Sequence, residues 1–366
     1  MMKILIIKLF ILVTLLLGLP LTGILISGRP LAIYLEFPPE TRFISHASFS
    51  WLIFWCYTVF IITILIFLLL PILNNQRVYL QDYAKCKPFP WWGWLSLFAC
   101  IVFWGIAWSR FTFLERVQPH TFAPLWISFI VLLNALSFRR KGYSMLTHKT
   151  RLFLILFPLS AAFWWFFEYL NRFVQNWHYL GVENFSTGQY VLHASLCFST
   201  VLPAVMSTEE LLASFSRLTE PLQNWRRITL HRPKMWGWLL LFIAAPSLGA
   251  ISIYPNLLFP MLWVAPFLII TGIQLLCSEK TLFSDLQNGD WRMVWLPALA
   301  ALFCGFFWEL WNVNSLAHWE YSVPFVQRFH IFKMPILGYA GYLPFGLECM
   351  VVSLMFGKVM GEEGYS

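Results

Sequence analysis

Two glutamates stand in strongly apolar, aromatic runs, each three residues ahead of an asparagine: Phe166-Phe167-Glu168-Tyr169-Leu170-Asn171 and Phe307-Trp308-Glu309-Leu310-Trp311-Asn312. A tryptophan two residues before a tyrosine follows each, in Trp177-His178-Tyr179 and in His318-Trp319-Glu320-Tyr321. On a helix the E-x-x-N spacing puts carboxylate and amide on one face, where the amide can donate to the carboxylate or to a shared ligand. An acidic side chain in the middle of a membrane helix costs roughly 2.5–3.5 kcal/mol, so each glutamate is expected to face a cavity or a partner. Glu168 and Glu309 are therefore the first candidates for acid–base or ion-binding groups. Asn171, Asn312, Trp177, His178, Tyr179, Trp308, His318, Trp319 and Tyr321 are the candidates to line a ligand site around them.

Glu348, which follows Pro344-Phe345-Gly346, is a third catalytic candidate inside an apolar stretch. Glu209 and Glu210, six and seven residues after Pro203, occupy a comparable stretch nearer its end and are expected at a solvated helix terminus. Glu168 with Pro203, Glu209 and Glu210, then Glu309 with Pro344 and Glu348, resembles the plan of membrane carotenoid cyclases of the lycopene cyclase type. The likeness covers two helices per unit and lacks that family's close Pro-x-Glu-Glu spacing, so the chain is not placed in it.

Hydrophobic residues make up 59% of the chain and charged residues 11%, with mean hydropathy +0.67; soluble domains carry roughly 25% charged residues. This is the composition of an all-α, polytopic integral membrane protein. Ten stretches approach the roughly 20 apolar residues a crossing needs: 4–27, 50–73, 92–109, 122–138, 152–171, 190–213, 236–254, 258–277, 293–312 and 336–357. Ten crossings put both termini on one side. Most of the 25 basic residues then fall in the loops of that side, among them Arg77, Lys85, Arg139, Arg140 and Lys141. The other side holds Arg29, Arg42, Arg110, Arg116, Arg172, Arg328 and Lys333. Basic residues resist translocation, so the expectation is a cell-membrane protein with cytoplasmic N- and C-termini. The formal charge of +8 is thereby assigned to topology and to anionic lipid surfaces, not to nucleic acid.

Further marks repeat in order. Trp92-Gly93-Trp94-Leu95 matches Trp236-Gly237-Trp238-Leu239, and Phe122-Ala123-Pro124-Leu125-Trp126 matches Phe259-Pro260-Met261-Leu262-Trp263. The chain is accordingly divided into two N-terminal helices with an outer Pro-rich loop (1–87), a first four-helix repeat (88–231) and a second (232–366). Both repeats would share one orientation, as in parallel-repeat transporters. The loop from Gly28 to His46, stiffened by Pro38-Pro39, is expected to be a connector with Arg–Glu pairs of its own. Its alternative place is across the outer mouth of the repeats.

Six histidines (His46, His120, His178, His193, His318 and His330) fall toward the outer side without metal-pair spacing, and no metal is assigned. The seven cysteines form no C-x-x-C and are expected as small hydrophobes. Nucleotide-loop, serine-hydrolase and zinc-protease motifs are absent from the sequence. Three functions stay open: acid–base chemistry on a lipid or isoprenoid, proton- or cation-coupled transport, and service as a non-catalytic subunit or assembly factor docked on a partner membrane protein. Membrane lipids are expected partners in all three; no cofactor is assigned.

Overall fold

The structure, a computed structural model, describes residues 2–75 and 86–359, with side chains from residue 7 to residue 358. Arg77 and Lys85 of the first basic loop lie outside the described residues. Most of the described residues are helical. They begin with α1 (Met2–Ile26) and α2 (Trp51–Leu73), joined by the Pro-rich loop. Then come α3 (Trp91–Trp108), α4 (Phe122–Lys141), the short α5 (Met145–His148) and α6 (Thr150–Val174). A four-residue strand β1 (Trp177–Leu180) leads into α7 (Thr187–Phe198) and α8 (Val201–Leu212). After a short amphipathic α9 (Ser216–Gln223) come α10 (Pro233–Ala250), the one-turn α11 (Pro255–Leu258), α12 (Met261–Leu276) and α13 (Arg292–Asn312). The described residues end with β2 (His318–Tyr321), the two-residue strands β3 (His330–Ile331) and β4 (Met334–Pro335), and α14 (Tyr342–Val359).

Among the described residues eight helical segments are long and apolar enough to cross a membrane, α7 and α8 counting as one. The two other expected crossings form α10, which carries Lys234 in its first turn, and α12, of 16 residues. At 1.5 Å per residue α12 is about 24 Å long, short of the roughly 30 Å of a hydrocarbon core. Helices pack in lipid without a hydrophobic drive between them, so close contact through small residues matters. Gly237 of α10 faces Gly272 of α12, where an added Cβ would come within 2.9 Å of the Gly272 carbonyl oxygen. Gly23 of α1 meets Gly249 and Ser252 at the end of α10, and Gly93 of α3 meets Ala135 of α4.

The buried centre is aromatic and crosses the chain reciprocally. Trp126 of α4 packs on Trp308 of α13 (ring centroids 5.1 Å apart), while Trp263 of α12 stacks on Phe167 of α6, also at 5.1 Å. Phe345 of α14 closes the group against Phe163, Phe167 and Trp263. Cys56, Cys100, Cys197, Cys277, Cys304 and Cys349 are free thiols; Cys100, Cys197, Cys304 and Cys349 are buried, and Cys56, Cys86 and Cys277 are exposed.

Gly346 offers a test of this packing. An alanine Cβ there would sit 2.1 Å from the Pro297 carbonyl oxygen, in backbone that cannot swing aside, whereas one at Gly105 would meet nothing within 4 Å. Gly346→Ala is expected to lower stability by about 1–3 kcal/mol through overpacking. Gly105→Ala should leave the apparent unfolding temperature in detergent unchanged or raise it.

Candidate functional site

The site grows from the ends of α6 and α13. Helix α6 stops where Gln175 takes a left-handed conformation (φ 52°, ψ 46°), and the chain turns back as β1. Asn171 fixes that turn. Its Nδ2 donates to the Trp177 carbonyl oxygen at 2.8 Å, and its Oδ1 accepts from the backbone N–H of Asn176 at 2.7 Å. Asn312 does the same at the end of α13, donating to the Trp319 carbonyl oxygen and accepting from the Trp319 N–H, both at 2.8 Å. Both asparagines are fully or almost fully buried. They clamp the strands and are not among the residues that line the cavity described below.

The two clamped strands pair antiparallel, with Trp177 opposite Tyr321, His178 opposite Glu320, Tyr179 opposite Trp319 and Leu180 opposite His318. Each strand thus sets its tryptophan against the other's tyrosine. The turn beyond β1 is tight: Gly181 has φ +76°, and a Cβ there would be 2.2 Å from the Leu316 carbonyl oxygen.

Beneath the strands the carboxylates gather the aromatic polar groups. Glu168 Oε1 accepts from the indoles of Trp164 (2.9 Å) and Trp177 (3.0 Å) and from the Tyr179 hydroxyl (2.5 Å). Glu309 Oε1 accepts from the hydroxyls of Tyr321 (2.6 Å) and Tyr342 (3.0 Å), while the Trp319 indole donates to the Tyr321 oxygen at 2.7 Å. In both glutamates Oε2 is buried and has no protein partner. Burial first, and the neighbouring carboxylate second, push the phenols of Tyr179 and Tyr321 well above their usual value, so both hydroxyls remain donors.

A cavity of about 600 Å³ lies against this assembly. Trp177, Tyr179, Trp308, His318, Trp319 and Tyr321, all expected at a ligand site, line it, and Trp164, Trp263 and Tyr342 complete the aromatic wall. Helix α2 closes one side with Tyr57, Phe60, Ile61, Ile64 and Leu68. The three candidate catalytic carboxylates are not in the lining. Glu168 and Glu309 sit behind it, holding its walls; Glu348 is 1% exposed with neither oxygen bonded, although Pro344 and Leu347 on its helix face the cavity. Where a carboxylate lining was expected, the cavity is lined by the carboxylates' hydrogen-bond donors, because a buried acid draws such donors toward itself.

His178 does not reach the cavity. Its ring meets Phe43 edge-on and burial pushes its imidazole down from the usual value, while Glu320 opposite it bonds Lys333 Nζ at 2.6 Å. Among the described residues no group of three or more His, Cys, Asp and Glu could hold a metal ion. His120 and His193 do meet, Nδ1 to Nδ1 at 3.3 Å, and His193 faces the cavity.

Two further expectations change. The loop from Gly28 to Ser50 lies over the clamped end. Arg172 donates to the carbonyls of Tyr34 and Glu36, Gln175 bonds the Arg42 N–H and the Glu40 carbonyl, and Tyr34 stacks on Phe173. His46 bridges Asn256 and the Gln175 carbonyl. Among the described residues it shows no ion pair of its own, so a covering segment replaces the simple connector. Glu209 and Glu210 do not form a solvated end: Glu209 is buried, and Glu210 accepts from the Met145 N–H at 2.8 Å, capping α5. Sequence reasoning passed over Asn176 and Tyr342. Asn176 gave no signal beyond following the helix-ending Gln175; Tyr342 fell inside the expected crossing 336–357 with nothing to single it out, and in the structure it starts the helix.

No protein-family model, curated protein or solved structure matches the chain.

Replacing Asn171 or Asn312 by leucine strands buried backbone groups, each costing about 1–3 kcal/mol; both variants should unfold at clearly lower temperature, and an unchanged midpoint would contradict the clamp. Glu320 yields a pH test. The Lys333 ammonium holds its carboxyl below the usual glutamate value despite partial burial. Its contribution is complete above about pH 4.5 and is lost as pH falls through the lower folded value. Lys333→Gln should therefore flatten the fall in unfolding temperature in that acid window and not near neutrality.

Proposed function

We propose that this multi-pass membrane protein binds a lipid or isoprenoid chain in the aromatic cavity. The observation that carries the proposal is the lining: about 600 Å³ walled by aromatic and aliphatic side chains, with no Asp, Glu, Lys or Arg among them. That volume lies within the range of small-molecule sites, which are mostly apolar with a few placed polar groups. In this reading Glu168 and Glu309 are positioning residues that hold the Tyr179 and Tyr321 hydroxyls, which both bond the glutamates and face the cavity.

We propose, too, that the molecule arose by duplication of a four-helix unit, with units at 88–231 and 232–366 behind the N-terminal pair. The matching Asn clamps, the Trp-opposite-Tyr strand register and the reciprocal packing of Trp126 and Trp263 support it. So does the placement of a Leu-Pro pair in the first turn of both α8 and α14. On that plan α10 and the α11–α12 segment are crossings as well, giving ten. The basic stretches around 139–151 and 226–234 then face the cytoplasm with both termini, and the strand pair faces outward in the cell membrane.

Glutamine keeps an acceptor oxygen but no acid. The Glu168→Gln, Glu309→Gln double variant is expected to keep co-purifying lipid, and the double leucine variant to lose it, in native mass spectrometry. Lipid extracts of cells carrying the glutamine variant decide whether chemistry follows binding: an altered profile marks an enzyme, an unchanged one a carrier or non-catalytic subunit. Wild-type protein that co-purifies no lipid or isoprenoid would overturn the binding proposal.

A further inference from the structure

The cavity is long and chemically polarised. Along α13 its lining runs from Val294 to Trp308, about 21 Å of helix, and along α2 from Tyr57 to Leu68, about 16 Å. Polar groups gather at the strand end, where Asn176, Tyr179, His318 and Tyr321 face it. Toward the other end the lining is Ile64, Leu68, Val294, Ala298 and Leu347. A ligand that matches this wall has one polar end and a long hydrocarbon remainder.

Asn176 identifies the polar end. It is 4% exposed, lines the cavity, and its Oδ1 is buried without a hydrogen-bond partner. Its backbone N–H is fixed by Asn171, so the amide is held in place by a clamp that does not use the side chain. Leaving a buried amide oxygen unbonded is costly; a turn of the amide toward the cavity that Asn176 lines would let a ligand hydroxyl supply the missing donor. The hydroxyls of Tyr179 and Tyr321 already donate to the glutamates; the Tyr321 oxygen also accepts from the Trp319 indole, which leaves the Tyr179 oxygen as the acceptor beside the same end.

Charge narrows the class. A phosphate or diphosphate carried into this space would need arginine, lysine or a bound cation to replace its water. The lining has none of the cationic side chains; its ionisable nitrogens are those of His193, which meets His120, and His318, whose Nε2 is 3.8 Å from Glu320.

We infer that the ligand is an uncharged lipid alcohol, its hydroxyl bonded to the Asn176 amide and its chain lying between α2 and α13, and that phosphate and diphosphate esters of the same chain are rejected. This rests on the cavity being the ligand site, and it adds the chemistry of the head.

The test is competition on the purified full chain in phosphatidylcholine nanodiscs, with tritiated geranylgeraniol and tritiated oleyl alcohol as probes. At least one alcohol should bind saturably, with geranylgeranyl diphosphate or oleyl phosphate competing at least tenfold more weakly. Asn176→Leu should weaken the alcohol about tenfold, the order of one hydrogen bond, while a hydrocarbon of the same chain without the hydroxyl keeps its affinity and so reports an intact cavity. Phosphate esters that compete as well as the alcohol, or alcohol affinity indifferent to Asn176→Leu, would overturn the inference and leave the cavity reading standing. Failure of alcohol, ester and hydrocarbon alike to bind saturably would remove the cavity reading itself. Should the variant not fold, the wild-type ranking of alcohol against ester still decides.

Discussion

A carboxyl group buried among aromatic rings can bond only to what those rings offer, and the indole N–H and phenol O–H are the donors available. Glu168 takes Trp164, Trp177 and Tyr179; Glu309 takes Tyr321 and Tyr342. In water such bonds would be weak organisers. In a low-dielectric interior an unmade bond is expensive, so each acid dictates the orientation of the rings around it. The cavity wall is shaped from behind, by groups that do not face it.

That arrangement needs the strands to arrive in register, and the register depends on two asparagines. Asn171 and Asn312 tie each strand to the helix that carries its glutamate. The pairing of Trp177 with Tyr321 then delivers one ring of each kind to each side. The loop before α2 closes over the result through Arg172, Gln175 and His46, all bonded largely to backbone. Backbone acceptors suit a cover of this kind, because they hold the loop without requiring a particular partner side chain. One further tie lies far from the strands: Lys8 of α1 pairs with Glu279 beyond α12. Helix packing in lipid supplies little of this geometry by itself, so the polar ties carry the specificity.

How much of this was legible in the sequence depends on range. The apolar runs fixed the helices, and E-x-x-N followed by Trp-x-Tyr singled out the residues that meet. Composition sufficed because an intramembrane acid has few explanations. The direction in which Glu168 points was not legible, since the E-x-x-N face is the same whether the acid lines a cavity or backs its wall. Tyr342 and Asn176 were invisible for another reason: their roles exist only after α14 and β1 have been docked against distant elements. The same holds for Glu210, whose partner at Met145 is 65 residues away.

Separating the group that holds from the surface that lines the cavity has a chemical consequence. A glutamate facing the cavity would attract cations and reject a hydrocarbon chain, because burying its charge against an apolar ligand has no compensation. Placed behind a tyrosine, the same acid fixes the hydroxyl's proton toward itself and leaves the phenol oxygen as a neutral acceptor toward the cavity. Two such tyrosines, Tyr321 with its oxygen already shared with the Trp319 indole, and the amide of Asn176 make the strand end polar without making it charged. The carboxylates thus set the character of the cavity by being excluded from it.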